Sequence, residues 1–177
     1  LPEGVRYVPS PDRSLTELLL AGEIDALISA NAPQAFRDGH PDMTRLVPNY
    51  REEESKYFQE TGIYPIMHTV AIRRDVYEEH PWVAMNMLNA FEEAKKRCIH
   101  RMSNITASQI PMPWIYDSFE TVKEELFNGG DYWPYGIDAN RTTIEAFLQY
   151  AYEQGVCHRL LTPEELYPRE VQSAFKI

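Results

Sequence analysis

The chain has 177 residues, 44% of them hydrophobic and 25% charged, with 13 Pro and 8 Gly scattered along it. That is the composition of a globular protein and excludes a disordered or low-complexity chain. Seventeen Lys and Arg against 27 Asp and Glu leave a net charge of -10, which repels phosphate backbones and anionic headgroups and argues against a nucleic-acid partner.

Two further classes are excluded on pattern. No run of about 18 apolar residues is present, so no membrane insertion is expected. Cys98 and Cys157 stand alone without a CxxC, which indicates neither a disulfide framework nor a zinc knuckle. The sequence opens at Leu1 without a Met, leaving an upstream segment, a signal peptide included, as an open expectation.

Ser14-Leu-Thr-Glu17 is a capping-box pattern and predicts a short helix running to Gly22. Ile24–Ala30 is apolar and bounded by Gly22 and the Asn31-Ala-Pro33 turn, which predicts a buried strand of a parallel sheet. Asn49, with Glu52 three residues later, opens a second helix that Gly62 ends. The β-branched and apolar run Tyr64–Ile72 is read as a central strand. Asp75 is placed to cap the next helix, which His80-Pro81 interrupts before a longer one over 81–97. Residues 105–115 carry two prolines and read as a loop, over the surface or over a cleft. Helices follow over 118–127, stopped by Gly129-Gly130, and over 140–154 after the aromatic loop Asp131–Gly136. Thr162-Pro-Glu-Glu165 caps a short terminal helix.

With so negative a chain, an anion site has to rest on local donors and a few placed cations. Asn31 stands just beyond the first predicted strand, where open α/β sheets bind ligands, although an Asn before a turn proline is as readily structural. His68 shares a face with Ile66, Val70 and Ile72 by period-2 alternation; it is either a hydrogen-bonded core histidine or a proton donor lining a cleft. Arg73 and Arg74 point to opposite faces, so only one reaches a ligand. Arg141 sits at a helix start, against the dipole, where another demand such as a carboxylate clamp would hold it. Trp133 and Tyr135 flank Pro134 and form either a stacking wall for an aromatic ring or a plug tying the loop to the body. Glu52–Glu54 reads as a solvated face. The histidines show no metal-ligand spacing, so no metal is expected.

The ordered blocks "GEIDALISANAP", "TGIYPIMHTVAIRRDVYEEHPWVAMNMLNAFEEAK", "GGDYWPYGIDANRTTIEAFLQYAYEQG" and "LLTPEELY" together resemble the 4,5-dihydroxyphthalate decarboxylase family over most of the chain. The resemblance implies an α/β, type II periplasmic-binding-protein-like fold with two lobes around a ligand cleft. Residues 1–65 would then be the end of one lobe and the crossover, and 66–177 a C-terminal lobe, with a first part upstream. It also implies a cofactor-independent lyase that removes one carboxyl group from an aromatic dicarboxylate such as 4,5-dihydroxyphthalate, leaving protocatechuate. His68 would move the proton, Arg141 would clamp the retained carboxylate, and Asn31, Arg74, Trp133 and Tyr135 would complete the substrate contacts. The alternative is a non-catalytic solute receptor serving a transporter, with the same cleft holding an aromatic acid. The lyase reading goes with a cytoplasmic protein and the receptor reading with a periplasmic one. A homo-oligomer, or a missing N-terminal segment, would supply further contacts.

Overall fold

The computed structural model describes residues 3–106 and 109–172. The chain divides into two units, residues 1–56 and 57–177. In the first, α1 (Leu15–Leu20) opens on the expected capping box: Ser14 Oγ accepts the Glu17 N–H at 3.2 Å, and the Glu17 carboxylate accepts the Ser14 N–H at 2.7 Å. The hydrogen-bonded carboxylate lies below its ordinary pKa, chiefly because of the Ser14 N–H. After α2 (Gln34–Arg37), Arg45 lies over the Phe36 and Tyr50 rings at 5.4 and 4.6 Å. Met43 is the buried apolar residue of this unit.

α3 (Tyr50–Thr61) ends at Gly62, whose φ of 68° lies in the left-handed region that glycine enters without strain. In the second unit α4 (Arg74–Glu79) stops at His80, and α5 (Trp82–Ser103) starts after Pro81. α5 runs six residues beyond the predicted 97, since nothing between Cys98 and Ser103 breaks it before Asn104. α6 (Ile115–Phe127) ends on Asn128 and Gly129, both at positive φ, with the Gly129 N–H donated to the Lys123 carbonyl at 3.0 Å. α7 (Ile137–Glu153) carries the core stripe Ile137, Ile144, Leu148 and Ala151, spaced by seven, four and three residues and therefore on one face. α8 (Pro163–Leu166) opens on the predicted cap, the Glu165 carboxylate accepting the Thr162 N–H at 2.9 Å. α5 packs on α4, on α6 and on a 3-10 turn at Arg169–Val171, and α8 packs on α7.

The α/β expectation is overturned: among the described residues there is no strand and no sheet. The two-lobed, periplasmic-binding-protein-like architecture goes with it. Ile24–Ala30 and Tyr64–Ile72, the two predicted strands, are irregular segments. Neither is buried as a central strand would be: Ile28 is 99% exposed and Met67 75%. A β-rich composition favours extended backbone, but a strand exists only where a neighbour completes the hydrogen-bond ladder, and none lies alongside either segment among the described residues. No helix among the described residues is long and apolar enough to cross a membrane.

Candidate functional site

An open hollow of the second unit lies between α5, α6 and the aromatic loop. Its two adjoining parts, of about 330 and 210 Å³, share Phe119 and Tyr132 as walls. The larger is at the lower end of the size range of small-molecule sites. Phe119 and Tyr132 meet edge to face with centroids 5.8 Å apart, and Phe127 continues the cluster to Tyr64 and Phe58. Ile99, Ile115 and Val122 extend the apolar floor.

Lys95 closes one end. Its side chain is only 9% exposed, and its ammonium donates to Asp131 Oδ2 at 2.8 Å, to the Trp133 carbonyl at 3.0 Å and to Glu92 Oε1 at 3.3 Å. It also lies 4.9 Å above the Tyr135 ring. All three ammonium protons are used, so Lys95 fastens the loop to α5 and is not free for a ligand. Burial alone would lower its pKa, but the bonds to Asp131 and Glu92 outweigh that and hold it above the ordinary value. Asp131 is the mirror case: burial pushes its carboxyl up, and the Lys95 ammonium with the Trp133 N–H brings it below the ordinary value. Burial raises the Tyr132 phenol, with smaller contributions from Cys98 and Asp131, so the group stays a neutral donor at the groove wall. Lys96 and Lys123 also line the hollow, and Lys123 makes no ion pair among the described residues. An apolar floor with an ammonium beside it has the chemistry to hold a ring and its carboxylate.

The residues singled out from the sequence are distributed differently. Asn31 lies in the first unit, on an exposed bend where its carbonyl accepts the Ser29 hydroxyl at 2.7 Å. His68 is exposed within the irregular 62–73 stretch and makes no hydrogen bond among the described residues. Arg74 begins α4, exposed and without an ion pair among those residues, while its neighbour Arg73 is bound to Asp75 through two contacts of 2.6 and 2.7 Å. Trp133 is half exposed, its N–H donated to Asp131 and its carbonyl taken by Lys95. Tyr135 sits beneath Lys95 and 6.4 Å from the Phe91 ring. Asn140 completes the loop's attachment by donating to the Pro134 and Gly136 carbonyls at 2.8 and 2.9 Å.

Arg141 is held by carboxylates: Glu164 at 2.6 Å, Glu145 at 3.3 Å and Asp138 at 3.6 Å. These ties offset its unfavourable place at the start of α7 and join that helix to α8. No hydrogen bond or ring contact links His68 with Trp133, Tyr135 or Arg141 among the described residues. Lys95, Phe119 and Tyr132 were not singled out from the sequence. The only signal for them was the aromatic loop itself, which borders the hollow through Asp131 and Tyr132.

No family model matches the chain. Along its whole length it is similar to the 4,5-dihydroxyphthalate decarboxylase of Comamonas testosteroni, with 33% identity over 178 residues. The resemblance carried by the sequence motifs is therefore confirmed across the chain. The chain spans about half of that relative, 53% of its length.

Proposed function

We propose, on the kinship with 4,5-dihydroxyphthalate decarboxylase, that the chain serves in cofactor-independent decarboxylation of an aromatic dicarboxylate, 4,5-dihydroxyphthalate being the first candidate. The observation that carries this reading is identity sustained along all of the chain rather than confined to one motif. In the reaction the hydroxyl para to the departing carboxylate gives up its proton and pushes electron density into the ring. The ring carbon takes a proton, the carbon–carboxyl bond breaks, and CO2 leaves with restoration of the aromatic ring and the phenol. The net change is one carboxylate and one proton converted to one C–H bond and CO2. Such chemistry asks for a base near the phenol, a proton donor near the carbon, and cations for the retained carboxylate.

His68 is the proposed proton-transfer group, which its exposure and its lack of a competing hydrogen bond support. Arg141 receives the retained carboxylate by exchanging it for Glu164, one carboxylate for another, and Arg74 is a cation already free of such a partner among the described residues. Asn31 is proposed as a further donor to substrate oxygens. The ring stacks either on Trp133 and Tyr135 or in the groove walled by Phe119 and Tyr132.

The test is turnover of 4,5-dihydroxyphthalate by protein expressed from its full reading frame, comparing His68→Ala with the unaltered protein. The expected result is loss of CO2 release with substrate binding retained; full activity in the variant would remove His68 from the chemistry. Phe119→Ala and Trp133→Ala, compared for their effect on KM, separate the two ring positions.

A further inference from the structure

Two facing helix stripes make the hollow of the second unit. Phe119 and Lys123 stand four residues apart on α6, and Lys95, Ile99 and Ser103 stand at four-residue steps on α5, so each set shares one face. The three polar groups that matter there differ in what they are free to do. The Lys95 ammonium is fully taken by Asp131, Glu92 and the Trp133 carbonyl. The Lys123 ammonium and the Tyr132 hydroxyl line the same space, and neither has a hydrogen-bond or ion-pair partner among the described residues.

An ammonium facing apolar walls gives up part of its hydration. In a chain with 27 Asp and Glu to 17 Lys and Arg, Lys123 has nonetheless taken no carboxylate among those residues, although Glu120 stands one turn earlier on its own helix. Arg141, by contrast, already holds three. The rings differ in the same way. Tyr135 has the Lys95 ammonium 4.9 Å over its face, whereas Phe119 and Tyr132 meet edge to face at 5.8 Å, an arrangement that leaves ring surface for a ligand.

We propose that this hollow is the binding site of an aromatic carboxylate, with the ring against Phe119 and Tyr132, a carboxylate accepting from the Lys123 ammonium, and the Tyr132 hydroxyl as a second donor. The choice of an aromatic acid over other apolar anions rests on the decarboxylase reading, and it puts the ring in this groove rather than on Trp133 and Tyr135. Glu120 lines the same space and repels the anion, so Lys123 and Glu120 act in opposite directions on affinity.

Calorimetric titration with phthalate tests it, on protein expressed from the full reading frame, with the amide chemical shifts of Gly130 and Tyr132 locating the ligand. Lys123→Gln is expected to raise Kd about tenfold, the worth of one charge-assisted hydrogen bond. Lys123→Arg, which keeps the charge, should hold Kd within about threefold, and Glu120→Gln should tighten binding by roughly the same factor. Cyclohexane-1,2-dicarboxylate, with the same charges and no aromatic face, should bind about fivefold more weakly. Undetectable phthalate binding, an unchanged Kd in Lys123→Gln, equal affinity for the saturated diacid, or unmoved Gly130 and Tyr132 signals overturns the proposal, whatever the protein turns over. Phthalate held through Lys123 by a protein that releases no CO2 from 4,5-dihydroxyphthalate supports the site and removes the decarboxylase reading instead.

Discussion

Lys95→Met removes the tie that holds the aromatic loop to α5 while keeping the length and much of the apolar stem of the side chain. Three hydrogen bonds and a cation–π contact are lost at once. Charge-assisted hydrogen bonds contribute about 1.5–3 kcal/mol each, but such contributions do not add within one network. Two of the orphaned partners recover by hydration, since the Asp131 and Glu92 side chains are 46% and 34% exposed. The loss expected is therefore about 2 kcal/mol, the worth of one or two such bonds, and it corresponds to a melting temperature lowered by roughly 4–8 °C. The assay is thermal and urea unfolding, with Trp fluorescence reporting on the loop that carries Trp133. A second readout is the pH profile. The Asp131 carboxyl is depressed in the folded protein, so its contribution is present above about pH 3.9 and is lost as pH falls through the folded value. The Lys95 ammonium is raised, so its contribution is full below about pH 10.4 and is lost as pH rises through its folded value. The wild type thus keeps this increment on a plateau between the two, and Lys95→Met lowers stability most within it. A change below about 0.5 kcal/mol, or the same loss at all pH values, would refute the reasoning.

Three further substitutions probe separate parts of the structure. Thr143→Val removes the acceptor of the Tyr64 N–H in a part-buried contact, where water can replace it in part, and is expected to cost about 1 kcal/mol or less in urea unfolding, with faster amide exchange at Tyr64. Gly62→Ala meets no atom within 4 Å of the added methyl, so its expected cost of about 1 kcal/mol is the left-handed backbone alone, and Gly62→Asn should recover part of it on the same melt. Arg141→Ala breaks ion pairs whose guanidinium is 41% exposed, so stability should fall by under about 1 kcal/mol; KM for the dicarboxylate should rise severalfold if the guanidinium clamps it, and stay unchanged if Arg141 only joins α7 to α8.

What was legible in the sequence was local. Ser14 with Glu17, Thr162 with Glu165 and Gly62 act within three or four residues, and each marks a helix end where it was read. The family resemblance was also legible, because "GIYPIMHTVAIRRD" and "YWPYG" are specific strings, and whole-length identity bears it out. The sheet was not. Val70 and Ile72 state a preference for extended backbone, but pairing is a property of two segments, and one segment's composition does not say whether its neighbour is present. Lys95 was illegible for a related reason. Within Glu92-Glu-Ala-Lys-Lys-Arg97 it has the pattern of a solvated helix face, and it is buried only because residues 36 and 38 positions later fold over it.

The most direct measurement of the central claim is CO2 release and protocatechuate formation from 4,5-dihydroxyphthalate, followed with protein expressed from its full reading frame. The decarboxylase reading predicts stoichiometric CO2 and protocatechuate, lost in His68→Ala. Tight binding of the dicarboxylate with neither product formed would contradict it.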